Sequence, residues 1–126
     1  MSARSQPVLY SVDLTDCRHL ALLPPDAVVA AFSNALVGAG ATVVQSLSHN
    51  FPGKGLTSVL ILAESHAALH TWPESGTVHI DIFACSPRLD SASAIRSLGA
   101  TFGAAHTAIQ EVLRADGHGL VAAERS

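Results

Sequence analysis

The sequence contains little charge. Asp, Glu, Lys and Arg make up only 13% of its 126 residues, about half the share in an average soluble domain, and the formal net charge is -3. Lys and Arg total seven and form no cluster, so nothing in the composition indicates a nucleic-acid binder. Because so few charges cover a chain that is 48% hydrophobic, we expect some apolar surface to lie in a contact between subunits.

Cysteines and long apolar segments are also scarce. Cys17 and Cys85 are the two cysteines, and the polar start Met1–Ser5 lacks the apolar core of a targeting signal. We therefore expect a cytoplasmic protein with two free thiols. Apolar runs such as Val59–Ala63 are far too short to span a bilayer, so no membrane contact is expected. No repeat, low-complexity tract or linker is present, and 1–126 is predicted to be a single domain.

Hydrophobic periodicity predicts five strands and two helices. The predicted strands are 8–14, 41–50, 56–63, 77–84 and 106–114, and the predicted helices are 27–37, with Asp26 as N-cap, and 91–105. This β-α-β-β-β-α-β order predicts an α/β (α+β) fold, a two-layer sandwich with a mainly antiparallel sheet. The segment 64–74 is the exception, because it is polar and holds two histidines and a tryptophan.

Reactive side chains are concentrated in that segment, directly after the buried strand 56–63. A site is well placed there, because a regular strand holds the residues that follow it. Side chains alternate between faces along a strand, so Thr57 and Ser65 are expected on one face. In the next predicted strand His79 and Cys85 share a face. If those two strands are neighbours, Ser65 and Cys85 open onto one cavity.

The stretch Gly55–Glu74, followed by Gly76 and Ile80–Cys85, resembles the signature of the bacterial and archaeal S-adenosylmethionine decarboxylases. Its pattern is Glu-Ser-His-x3-His-Thr-Trp-Pro-Glu, then Asp-x3-Cys, and weaker similarity covers most of the chain. The resemblance implies a pyruvoyl-dependent lyase that makes decarboxylated S-adenosylmethionine, the aminopropyl donor for spermidine synthesis. It also implies a homodimer with its sites near the subunit contact.

The resemblance implies a role for five residues. The Ser65 hydroxyl attacks the Glu64 carbonyl, the chain splits between them, and residue 65 becomes the pyruvoyl cofactor, which forms a Schiff base with the substrate amine. His70 matches the histidine that removes the Ser65 α-proton during processing. Thr57 matches a hydroxyl residue that assists processing. Cys85 matches the thiol that returns a proton to the product.

The resemblance also implies the cleavage products and two substrate contacts. The products are a chain 1–64 and a chain 65–126. Glu74 matches the carboxylate that holds the ribose hydroxyls. Phe51 matches the aromatic ring near the adenine and the sulfonium, where an aromatic face favours a cation. Trp72 is interpreted as a packing residue.

No metal site is expected. His66 and His70 have the spacing of a helical metal-binding pair, but Ala67 stands where the zinc-protease pattern requires Glu. The chemistry implied by the resemblance does not need a metal.

The chain departs from the family pattern in three places. Ser5–Pro7 replaces a Gly-x-His stretch, Ser86-Pro87 replaces the Gly after the cysteine, and Thr77–His79 replaces an aromatic and two small residues. His79 therefore puts a bulky titratable group near the expected pocket. Two alternatives stay open: a pyruvoyl enzyme that decarboxylates a basic amino acid, arginine or ornithine, and a paralogue that does not process and has a binding or regulatory role.

Overall fold

A computed structural model of the protein describes residues 6–53 and 55–115, in which one antiparallel sheet carries two helices on one face. The elements are β1 Val8–Cys17, α1 Pro25–Gly38, β2 Val43–Asn50, β3 Leu56–Leu62, β4 Ser65–Trp72, β5 Thr77–Ala84, α2 Ser91–Phe102 and β6 Ala104–Leu113. The strand order across the sheet is β2-β3-β4-β5-β1-β6. The predicted two-layer sandwich is confirmed, and the predicted elements occur in the predicted order.

Strand alternation gives the sheet one apolar face. In β5, Val78, Ile80 and Ile82 are fully buried, whereas the residues between them are partly or largely exposed. Both helices cover the buried face, α1 with Phe32 and α2 with Phe102 among others. Burying a large apolar side chain contributes about 1.5–3 kcal/mol, so this layer is the main source of stability.

The opposite side of the sheet is called the open face here, because none of the described elements covers it. Its central strands contribute Thr57, Val59, Ile61, His66, Ala68, His70, His79, Asp81 and Phe83. The helices that cover the other face have 14 and 12 residues. In the described part of the chain, neither is long and apolar enough to cross a membrane.

The structure adds β4 to the predicted elements. Ala67, Leu69 and Thr71 are buried in this strand, while His66 and His70 alternate with them on the open face. The segment is therefore a half-buried strand with histidines at outward positions.

Several boundaries also differ from the prediction. The predicted helix 91–105 is wrong at its end, because α2 stops at Phe102. Gly103 caps it in a left-handed conformation with φ of 68°, and β6 begins at Ala104.

β1 continues past Leu14 to Cys17, because β6 pairs with it as far as Cys17. α1 begins at Pro25 with Pro24 at the N-cap, so the prediction of Asp26 as N-cap is wrong. Asp26 lies in the first turn, where a carboxylate is favoured by the helix dipole.

Candidate active site

The β3–β4 hairpin turns through Ala63 and Glu64, and Ser65 is the first residue of β4. Glu64 has a left-handed backbone with φ of 64°. That conformation costs about 1–2 kcal/mol for a residue with a side chain. The amide of Ala63 donates a hydrogen bond to the Thr42 carbonyl at 3.0 Å, which anchors the turn. Backbone strain is therefore stored next to the peptide bond between Glu64 and Ser65.

The turn lines a polar pocket of about 270 Å³, called the turn-end pocket here. Ser65, Thr42 and Arg88 are among its walls. Gly40 allows the loops around it to touch, since its φ is +106° and a Cβ there would lie 2.5 Å from the Arg88 carbonyl oxygen. Only glycine fits such a position without displacing the backbone.

Cys85 lies beside the turn, at the end of β5. His66 pairs with Phe83, so the same antiparallel register sets Glu64 next to Cys85. The thiol is partly buried. Burial, and secondly the Glu64 carboxylate, raise the pKa of Cys85. The thiol is therefore protonated at neutral pH, which is the form that a proton donor requires.

The other end of the hairpin opens into a cleft of about 510 Å³, called the open-face cleft here. Thr57 on β3 pairs with His70 on β4, and Thr57 Oγ1 lies 2.9 Å from His70 Nδ1. This hydrogen bond fixes the orientation of the imidazole through Nδ1. The other ring nitrogen, Nε2, does not take part in it. A histidine held by a hydroxyl in a cleft is suited to moving a proton.

Phe51 and Glu74 line the same cleft. Phe51 enters from the β2–β3 turn, where its amide donates to the Gly55 carbonyl at 2.8 Å. Its ring packs edge-to-face on His49, with centroids 4.6 Å apart. Glu74 is exposed in the turn after β4. The cleft thus combines an aromatic face with a carboxylate.

Trp72 is also a wall of the cleft, which the interpretation as a packing residue missed. Its indole Nε1 donates to His79 Nδ1 at 3.1 Å. His79 lies opposite His70 across the β4–β5 pair, and its Nε2 is 3.9 Å from Asp13 Oδ1. The departure at His79 therefore adds a contact to a residue of the cleft. The pairing of Trp72 with His79 depends on strand register, so the sequence alone held no signal for it.

The prediction that Ser65 shares a face with Thr57 is wrong. The two-residue turn reverses the chain, so Ser65 pairs with Leu62 and has the parity of buried Ala67. His70 is five residues along β4 and on the other face, a separation of about 16 Å at the usual strand rise. Within one chain, Ser65 does not meet the Thr57–His70 pair.

The structure does not support the expected cavity shared by Ser65 and Cys85, because the turn-end pocket is lined by Ser65 but not by Cys85, which has the open-face parity of His79. β4 separates β3 from β5 in the sheet, so those two strands are not neighbours. The backbones at Ser65 and Cys85 lie near each other because β4 and β5 pair directly, but the two side chains have opposite parity. Over the described residues, no three His, Cys, Asp or Glu side chains are grouped to hold a metal ion.

Comparisons with known proteins identify the family of the chain. The family model for S-adenosylmethionine decarboxylase matches residues 9–115. The chain is 40% identical over 89 residues to the S-adenosylmethionine decarboxylase proenzyme of Pseudomonas aeruginosa, which is 70% of this chain and 56% of that protein. It thus spans little more than half the length of that relative. It is 33% identical over 103 residues to the proenzyme of Prochlorococcus marinus, which is 82% of each.

A solved structure shares the fold. The crystal structure of the adenosylmethionine decarboxylase from Aquifex aeolicus superposes with a TM-score of 0.77 at 22% sequence identity. The match covers 90% of this chain and 94% of that one. At this identity the likeness establishes the arrangement of strands and helices.

Proposed function

Since the chain belongs to the S-adenosylmethionine decarboxylase family, we propose that it cleaves itself between Glu64 and Ser65 and becomes a pyruvoyl-dependent lyase. Its substrate is S-adenosylmethionine, and its product is the aminopropyl donor for spermidine synthesis. The strained turn at Glu64, with the Ser65 hydroxyl next to it, carries the proposal. The free thiols Cys17 and Cys85 suit a reducing, cytoplasmic location.

Processing begins at the turn. The Ser65 hydroxyl attacks the Glu64 carbonyl carbon, the C–N bond breaks, and the hydroxyl proton passes to the departing nitrogen, so the peptide becomes an ester with a free amine on residue 65. A base then removes the Ser65 α-proton, the bond from Cβ to the ester oxygen breaks, and the new main-chain carboxylate of Glu64 leaves. Tautomerisation and hydrolysis of the resulting dehydroalanine release ammonia. The products are the chains 1–64 and 65–126, the second with a pyruvoyl group at its start. Strain at Glu64 favours the first step, because it is relieved when the turn opens.

The residues near position 65 fit a pyruvoyl group. Such a group supplies the electron sink for the loss of carbon dioxide. Cys85 lies next to this position, keeps its proton at neutral pH, and returns that proton to the product α-carbon. No metal takes part.

The open-face cleft fits the nucleoside part of the substrate. The Phe51 ring offers a flat apolar face for the adenine and attracts the sulfonium charge. The Glu74 carboxylate accepts hydrogen bonds from the ribose hydroxyls. These two contacts favour S-adenosylmethionine over arginine or ornithine, which have neither an adenine nor a ribose.

The proposal includes a homodimer whose sites combine both copies. His70 is the base for the Ser65 α-proton, yet the two residues lie about 16 Å apart on opposite faces of one chain. A two-fold axis between two open faces, perpendicular to the strands, sets the turn end of one copy against the cleft end of the other, so that His70 of the partner subunit approaches the backbone of residue 65 from the face opposite the Ser65 side chain. The open face has apolar area to bury there, since Leu47 is 73% and Ile61 47% exposed.

Two measurements test the proposal. Intact-mass analysis of the purified protein should show two fragments that divide between Glu64 and Ser65. A chain that stays whole after long incubation would refute self-processing and leave a binding or regulatory role. Carbon dioxide release is then compared on S-adenosylmethionine, arginine and ornithine. Release from S-adenosylmethionine supports the proposal, and release only from a basic amino acid refutes the substrate assignment.

A further inference from the structure

His79 holds the indole of Trp72 by a direct hydrogen bond. The indole nitrogen can only donate, so Nδ1 of His79 must accept the bond at 3.1 Å. The ring proton of His79 is then on Nε2, the atom that lies 3.9 Å from Asp13 Oδ1. The two rings meet at 63° with centroids 6.1 Å apart, so they contact each other edge-to-face and do not stack. The imidazole therefore holds the cleft wall on β4, while its Nε2 faces Asp13 on β1 beyond hydrogen-bond distance.

We infer that His79 is a positioning residue that holds Trp72 as a wall of the open-face cleft and thereby sets the affinity for the nucleoside part of the substrate. The ligand in this inference rests on the proposed function, whereas the hydrogen bond does not. A small apolar side chain at position 79 would offer no acceptor to the indole, so the contact depends on the histidine that stands there.

The bond matters because packing within the chain alone does not hold Trp72. Its side chain is on the open face and the residue is 46% exposed. A half-exposed indole samples several rotamers, and each additional rotamer lowers the fraction of molecules with a formed cleft wall. An acceptor at a fixed position selects one of them. Removal of the acceptor should weaken binding without changing the groups that react.

The state of the bond depends on protonation of His79. The titratable and charged groups that face His79 are Asp13 on β1, His70 on β4, and Asp81, two residues along β5 on the same face. A proton on Nδ1 removes the acceptor, so the indole loses its partner. The imidazolium is then attracted to Asp13 and Asp81. The bond therefore requires the form of the ring with an unprotonated Nδ1.

Fluorescence tests the bond directly, because Trp72 is the one tryptophan in the sequence. The full-length Ser65→Ala protein is measured at one fixed concentration from about pH 8 to pH 5, the range in which imidazoles titrate. The emission should change along one histidine titration. His79→Ala should remove that titration and alter the emission at the upper pH. His79→Asn should keep the upper-pH emission throughout, since its amide oxygen accepts the bond and does not titrate.

A matched control uses a histidine at the far side of the sheet. His106 on β6 has its Nε2 3.6 Å from Asp16 Oδ2, an exposed pair similar to that of His79 and Asp13. His106→Ala should keep the full titration. If His79→Ala keeps it as well and His70→Ala abolishes it, the signal belongs to His70 and the inference is overturned. Unaltered emission of His79→Ala at the upper pH would overturn it too.

Calorimetry with 5′-methylthioadenosine tests the effect on affinity. At about pH 8, His79→Ala should weaken binding about two- to tenfold, the range for one neutral hydrogen bond, and His79→Asn should stay within about twofold of the parent. In processed enzyme the same factor should appear in KM with kcat unchanged. Equal affinity in parent and His79→Ala would overturn the positioning role. Absence of nucleoside binding in the parent would refute the proposed function, while fluorescence still decides the bond.

Discussion

The two ends of the β3–β4 hairpin have different environments. At the turn end the backbone is strained at Glu64, the pocket is polar, and the neighbouring thiol of Cys85 keeps its proton. At the cleft end the strands are regular, and a hydroxyl orients His70 beside an aromatic wall. In the proposed mechanism the turn end holds the residue to be converted, and the cleft end holds the groups that convert it and bind substrate. In the proposed homodimer one hairpin therefore contributes to two sites.

Loss of the turn-end hydroxyl should have the largest effect. Ser65→Ala removes the nucleophile, so we expect no cleavage and no carbon dioxide release, measured by intact mass and by gas evolution. Ser97→Ala is the matched control, because Ser97 is exposed on α2 and alanine suits a helix. Decarboxylation by the Ser65→Ala protein would contradict the pyruvoyl mechanism.

At the cleft end, loss of the hydroxyl beside His70 should slow processing without stopping it. Thr57→Val removes the hydrogen bond to Nδ1 at nearly constant volume. One such bond corresponds to a rate decrease of about tenfold. The rate is followed by the appearance of the two fragments, and Thr57→Ser should restore it. Wild-type rates in Thr57→Val would show that the hydroxyl does not orient the base.

Substitution of two glycines tests whether the loops around the turn-end pocket approach each other closely. Gly40→Ala should lower the free energy of unfolding by about 1–3 kcal/mol, because its Cβ would overlap the Arg88 carbonyl. Gly38→Ala is the control, since a Cβ there meets nothing within 4 Å. Urea unfolding of the uncleaved Ser65→Ala protein measures both. Equal stability of the two variants would contradict the close approach of the loops.

The smallest effect concerns the proton on Cys85. Removal of the Glu64 charge in Glu64→Gln removes one cause of the raised pKa, so the thiolate should form at lower pH. Iodoacetamide alkylation is measured across pH in the uncleaved Ser65→Ala protein. With Glu64→Gln, alkylation of Cys85 should begin at a lower pH than without it. Glu74→Gln, at the other end of the hairpin, should leave the profile unchanged. A shift with Glu74→Gln but not with Glu64→Gln would contradict the placement of Cys85.

Sequence patterns predicted the sandwich because most strands and both helices are half-buried, so their apolar periods are visible. β4 was missed since its inward positions include Ala67 and Thr71, which are weak hydrophobic signals, and its outward positions hold His66 and His70. The turn was missed because Ala63-Glu64 contains no Gly, Asn or Pro. The face alternation of the predicted strand 56–63 therefore continues to Ser65 in the prediction, which assigns Ser65 to the incorrect face.

The motif identified which residues belong to the site but not which of them are neighbours. Thr57 and His70 meet because of the register between β3 and β4. The Trp72–His79 bond depends on the register between β4 and β5. Registers are set by turns and by packing of the buried face, neither of which a linear motif records. The catalytic roles of Ser65, His70, Thr57 and Cys85 stay predictions until variants are measured.

Mixed dimers test the central claim most directly. Ser65→Ala and His70→Ala chains, with tags of different mass, are purified alone and after co-expression, and their masses are measured. The account predicts that neither chain is cut efficiently alone. After co-expression the His70→Ala chain should be cut between Glu64 and Ser65, because the partner supplies His70. If the co-expressed chains stay whole, or if the His70→Ala chain alone is cut at the wild-type rate, the shared site is contradicted.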